Sequence, residues 1–234
     1  MSKFVSTSNS LGEQTLYHAI PGEPRGEAIE TSAHYGMPIL PPERAKLGMP
    51  ADAHTPLVFA ATCLNKALAF AMPKGGGKLF NYTVDAANTE IIMACDRENF
   101  MARPIDATIY SFPADGFVQL PNAQHQSVST TPVPFSKTKI VSKFGSMEDL
   151  MRGGLQIFTI DGNYKSLDGD ATVDGLGKTD NDSDMMPQLA ALIKSGKVIW
   201  ENQSRGLNPN AKLAEMLGVT LAAVRRKPKR APGL

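Results

Sequence analysis

Residues 56–85 read "PLVFAATCLNKALAFAMPKGGGKLFNYTVD". Leu57 to Ala61 form a short apolar run of strand character. Thr62 is a good N-cap, and Leu64, Ala67, Leu68 and Ala71 share one face of a short helix. Pro73 and the glycines behind it stop that helix, and "KLFNYTVD" predicts the next strand. Upstream, "TLYHAI" at 15–20 reads as a strand, followed by a long Pro/Gly-rich loop with a short helix near 41–47. Downstream, "TEIIMACD" is a strand and "TIYSFPADGFVQLP" reads as a hairpin about a Pro-Ala-Asp-Gly turn. "SVSTTPVPFSKTKIVSKF" supplies two more short strands, its prolines suiting an edge. One early helix among many strands predicts an α+β fold with a mixed, mostly antiparallel sheet, not an alternating Rossmann type.

The chain has 234 residues, 42% hydrophobic, with a net charge of +1. That is enough to bury a sizeable core, and it excludes a polycation. Its two cysteines, Cys63 and Cys95, make neither a disulfide framework nor a metal-ligand spacing. A cytoplasmic setting with no bound metal is the simpler reading. The opening "MSKFVSTSNSLGEQ" lacks the apolar core of a signal peptide, and no stretch approaches ~20 apolar residues, so no membrane partner is expected.

Residues 161–184 carry seven aspartates and few apolar side chains, which reads as a linker. Within it, "GLGKT" lacks the first glycine of a phosphate loop, where Thr172 stands. "DNDSD" lacks the glycine and glutamate of a calcium loop, having Met185 and Ala191 in those places. "KGGGK" at 74–78 reads as a flexible hairpin tip.

Beyond the linker the pattern turns helical. "SDMMPQLAALIKSG" reads as a helix ended by Gly196. "NPNAKLAEMLG" reads as a second, with Asn208 as N-cap, Pro209 at the first helical position and Gly218 past the end. "TLAAVRRK" reads as a third, capped by Thr220 and stopped by Pro228. The stretch "AKLAEMLGVTLAAVRRKPKR" resembles the helix-turn-helix of DNA-binding regulators. The match rests on Leu213, Ala214, Leu217, Gly218, Val219 and Val224. The resemblance implies nucleic-acid contacts from Thr220, Arg225, Arg226, Lys227, Lys229 and Arg230. A helical hairpin that docks a protein partner is the other reading of the same residues. The expected organisation is a sheet domain over 1–160, a linker over 161–181 and a helical unit over 182–234.

Three segments resemble the ADP-ribosyltransferase superfold, which includes the RNA 2′-phosphotransferases. They are "LYHAI", "LVFAATCLNKALAFAM" and "HQSVSTTPVP". The resemblance implies an NAD-dependent transferase acting on nucleic acid or protein. His18 would hold a ribose hydroxyl, Ala61 and Thr62 would close the pocket floor, and Tyr17 or Phe70 would stack. Arg25 would meet the pyrophosphate. The family's catalytic glutamate falls on Gln126, whose amide cannot ionise, so a negative charge beside the developing oxocarbenium is missing. Glu23, Glu27 and Glu30 are the substitute acids nearby, and His34, His54 and His125 read as loop residues. Two other readings of the domain stand beside this one. It is a binding module that kept the pocket and lost the chemistry, or a non-enzymatic structural or interaction protein, of viral type, in which His18 is a core residue.

Overall fold

The computed structural model describes residues 14–32, 56–72, 78–120, 125–160, 165–167, 170–172 and 182–221. It is a mixed α+β protein with mostly antiparallel sheets and, among the described residues, six α-helices. The chain divides into two compact units, each discontinuous in sequence. The first comprises Met1–Pro73 and Pro104–Ser146, the second Lys74–Arg103 and Met147–Leu234.

The first unit is built on a six-stranded antiparallel sheet. Its strands are β1 (Thr15–Pro21), β3 (Val58–Ala61), β6 (Pro104–Pro113), β7 (Val118–Gln119), β8 (Gln126–Ser129) and β10 (Lys139–Ser146), in the order β10-β6-β1-β3-β8-β7. Two short strands, β2 (Ala28–Ile29) and β9 (Val133–Pro134), pair with each other. One core gathers Leu16, Val58, Ala60, Tyr110 and Phe112 from the sheet with Ile29 and Val133 from the small pair. Helix α1 (Leu64–Ala71) packs across β1, β6 and β3 and buries Ala67, Leu68 and Ala71 as its pattern predicts. Its N-cap is Cys63 rather than Thr62, and no side chain caps it.

The expected hairpin at 108–121 does not form. β6 pairs with β1 and β10, while β7 pairs with β8. The turn itself is present, with Phe117 N–H bonded to the Ala114 carbonyl at 3.0 Å. Phe112 and Phe117 then pack ring to ring in the core at 5.5 Å, so aromatic burial joins the two segments where a ladder was expected.

In the second unit the strands are β4 (Lys78–Val84), β5 (Thr89–Cys95), β11 (Gln156–Ile160) and β14 (Val198–Trp200), ordered β14-β11-β5-β4. β11 runs parallel to β5, and the other pairs are antiparallel. Five helices belong to this unit: α2 (Arg97–Met101), α3 (Met147–Arg152), α4 (Asp182–Lys194), α5 (Glu201–Arg205) and α6 (Ala211–Leu217). Met185, Leu189 and Leu192 of α4 and Leu213, Ala214 and Leu217 of α6 pack on Val84, Ile91, Met93, Phe158 and Trp200 of the sheet. The helices expected to stand apart from residue 182 are therefore one layer of a sheet unit. An apolar helix face shows that it must be covered, not by which strands.

Within the expected linker, β12 (Lys165–Leu167) pairs with β13 (Asp170–Thr172). Helix α6 starts later than the sequence suggests. Asn210, not Asn208, is its cap and accepts from the Leu213 N–H at 2.9 Å, while Asn208 takes a left-handed backbone with φ 49°. The helix ends as predicted at Gly218, φ 60°. The Gly218 and Val219 N–H groups bond back to the carbonyls of Glu215 and Ala214, a Schellman closure.

Candidate functional site

β1 and β3 pair at Tyr17 and Ala61. Next to that pair the His18 imidazole reaches across, and its Nδ1 lies 2.7 Å from the Phe59 carbonyl oxygen. A carbonyl only accepts, so Nδ1 carries the proton. Nε2 of the neutral ring is then an open acceptor, and it has no hydrogen-bond partner among the described residues. Desolvation lowers the His18 pKa and outweighs the Phe59 bond, which raises it. The ring is therefore neutral near pH 7.

Register decides what faces this nitrogen. Paired residues of an antiparallel ladder share a side of the sheet, and neighbours along a strand alternate. Tyr17 pairs with Ala61, and Ala61 with Gln126. These three share one side. His18 pairs with Tyr110, and Ala60 with Ser127. One step along the β1–β3 register sets His18 opposite Ala60, on the other side. The structure thus separates two pairs that the resemblance brings together. His18 and Gln126 lie on opposite sides of the sheet, and a ligand on His18 does not stack on Tyr17.

The His18 side carries different partners. Thr62 N–H donates to the His125 carbonyl at 2.9 Å and extends the β3–β8 ladder by one pair. The same two residues meet through their side chains, Thr62 Oγ1 to His125 Nδ1 at 3.3 Å. His125 holds φ 60°, a left-handed backbone uncommon for a non-glycine residue. Two residues on, Ser127 is fully buried, and its hydroxyl has no hydrogen-bond partner. His18, Ala60 and Ser127 thus lie on one side of three neighbouring strands, and Thr62 and His125 meet just beyond the ends of β3 and β8. His18, Thr62 and His125 are each partly exposed.

Arg25, Glu23, Glu27 and Glu30 are all exposed around the β1–β2 connection. Phe70 lies half-buried on α1. His34 and His54 lie outside the described residues, as do Arg225, Arg226, Lys227, Lys229 and Arg230 of the expected recognition segment. Thr220 is exposed, and its carbonyl accepts from Gln203 Nε2 at 2.9 Å. A groove of about 580 Å³ beside Gly218 is lined by Met186, Pro187, Met216 and Leu217 together with Asp182 and Glu215. Acidic groups there do not suit a phosphate backbone.

One polar centre in the second unit has no signal in the sequence. Glu201 is wholly buried. Its Oε1 accepts from Arg97 Nε at 2.5 Å and from Thr159 Oγ1 at 2.6 Å. Its Oε2 accepts from Arg205 Nε at 3.0 Å. Burial raises the Glu201 pKa, but the bonds from Arg97, Thr159 and Arg205 together bring it below the ordinary carboxylate value. Arg205 also meets Glu148 at 3.6 Å. Both arginines are spent on carboxylates, which marks this centre as structural.

Among the described residues no group of three His, Cys, Asp or Glu side chains could hold a metal ion. No helix among them is long and apolar enough to cross a membrane. No family model, curated protein or solved structure matches the chain.

Proposed function

We propose that the first unit is an NAD-binding domain of ADP-ribosyltransferase type. It transfers an ADP-ribosyl or related group to nucleic acid or protein in a cytoplasmic setting. The observation that carries this reading is the His18 imidazole. The Phe59 carbonyl fixes its tautomer, and an unprotonated Nε2 is left as an acceptor for a ribose hydroxyl. The three segments that resemble the family lie far apart in sequence, yet they form the adjacent strands β1, β3 and β8 of one sheet. Arg25, exposed beyond β1, is the cation available for a pyrophosphate. Phe70 remains the aromatic candidate for stacking. The basic segment after Leu221, through Arg225, Arg226, Lys227, Lys229 and Arg230, would bring the acceptor to the domain by phosphate contacts.

A second reading, binding without transfer, is favoured by Gln126. Its amide cannot supply negative charge, and it lies on the far side of the sheet from His18.

Thermal melting with NAD tests the proposal. A ligand that binds only the folded state adds RT ln(1 + [L]/Kd), about 2.7 kcal/mol at a hundredfold excess over Kd. The melting temperature is expected to rise with NAD and the rise to vanish in His18→Ala. A flat response at millimolar NAD overturns the reading.

A further inference from the structure

We infer that the outer edge of β10 takes an added strand from a protein partner, an extended segment whose apolar centre is flanked by carboxylates; this stands independently of the reading of His18. β10 closes one side of the six-stranded sheet and, among the described residues, pairs with β6 alone. From Lys139 to Phe144 the backbone makes no hydrogen bond to a described residue beyond that ladder. Such an edge presents a row of N–H and C=O groups that a further strand can satisfy, and a peptide laid along it gains affinity from the ladder and specificity from its side chains.

Two features of the edge select the partner. Ile140 and Val141, 57% and 40% exposed, are the large apolar side chains that stand open among the described residues. They are consecutive on this edge, and Val141 is the extra residue of a bulge between Ile140 and Ser142, a device that re-aims side chains. Lys139 and Lys143 bracket the pair, and Lys137 lies just before the strand. All three lysines are exposed, none makes an ion pair among the described residues, and β10 itself has no acidic residue. Lysines along an edge keep it from pairing with copies of itself, and here a second copy would set one lysine-bracketed strand against another. A segment with carboxylates on both sides of an apolar centre does the reverse. It meets the lysines with opposite charge across the ladder and covers Ile140 and Val141. A phosphate backbone would meet the lysines too, but it has no amide row to match the edge and leaves the apolar pair uncovered.

The test uses the full chain and two capped fluorescent peptides, TEVVVET and TKVVVKT, with binding read by anisotropy. The acidic peptide is expected to bind, more weakly as salt rises, and the basic one to bind about tenfold less tightly. Methylating the valine amides keeps every charge and side chain but removes ladder donors, and is expected to abolish binding. A double Lys139→Glu, Lys143→Glu variant should exchange the preference between the peptides. Ile140→Thr, at an exposed position, should weaken the acidic peptide while leaving the melting temperature unchanged. Equal binding of the two peptides overturns the assignment, as does binding that survives amide methylation. Absence of binding at millimolar acidic peptide overturns it as well. Self-association in sedimentation that Ile140→Thr abolishes gives the edge to a second copy, and duplex-DNA binding that the double lysine variant abolishes gives it to nucleic acid; either result overturns the acidic partner.

Discussion

Glu201 and Arg97, which are 104 positions apart in sequence, meet at 2.5 Å, with the carboxylate shut off from solvent and the guanidinium reaching the surface. The pair ties the start of α5 to the start of α2, and Thr159 of β11 joins it from the strand beside β14. A buried carboxylate held by two arginines and a hydroxyl is costly to disturb, because each partner removed leaves an uncompensated group.

Glu201→Gln is therefore expected to destabilise the protein by about 3 kcal/mol in urea unfolding. The same carboxylate sets an acid limb. Its folded pKa lies below its unfolded value, so its stabilisation is complete above the ordinary carboxylate range near ~4.3 and is lost as pH falls through the folded pKa. The urea midpoint of the wild type should fall below about pH 4.5. Glu201→Gln should show a shallower fall, and an identical acid profile in both would contradict this account.

His18 gives the opposite kind of group the same sign of dependence. Its folded pKa is lowered, so as pH falls below ~6.5 the unfolded chain takes a proton that the fold does not. Its contribution is complete above that value and declines beneath it. Nitrogen chemical shifts from ¹⁵N-labelled imidazole should report the Nδ1–H tautomer at neutral pH and a titration midpoint under ~6.5. An Nε2–H signal would remove the basis for the ribose contact.

Gly218 isolates a backbone effect. A Cβ added there meets nothing within 4 Å, so only the φ of 60° opposes a side chain. Gly218→Ala should cost about 1 kcal/mol, and Gly218→Asn less, read from thermal melts.

The nucleic-acid reading needs substitutions rather than truncation. Cutting the chain before residue 182 removes Leu189, Leu192, Leu213 and Leu217 from the second unit's core. Lost binding would then report unfolding. Replacing Arg225, Arg226, Lys227, Lys229 and Arg230 by Gln spares that core. It should flatten the dependence of duplex-DNA affinity on salt, each lost phosphate contact reducing the log–log slope by roughly 0.9. An unchanged slope would place the contacts elsewhere or nowhere.

Elements whose signal is local were legible in the sequence. The apolar run "TEIIMACD" is β5, buried along its whole length, and Gly196 and Gly218 close helices where glycine was expected. Pairing was less legible, since β6 and β7 look like a hairpin in sequence yet join different neighbours. Asn208 and Asn210 flank the same proline, and composition does not say which of them caps. In the site, His18 stood out by its setting in a strand. Its separation from Gln126 depends on register, a property of three strands together. His125 read as a loop histidine because nothing in "NAQHQS" announces a left-handed backbone or a bond to Thr62, 63 residues upstream. Glu201 looked like any acidic residue beside a tryptophan until Arg97, 104 positions away, closed on it together with Arg205, one helical turn along.

The interleaving of the two units has a consequence for synthesis. Residues 74–103 leave the ribosome well before the 147–234 segment that completes their unit. β5 must then wait for β11, its parallel neighbour, and for α4 and α6 to cover Ile91 and Met93. The first unit is complete at Ser146 and is free to fold before the second. A chain truncated at residue 150 should thus protect β1, β3 and β6 from proteolysis while leaving the apolar β5 open to chaperones.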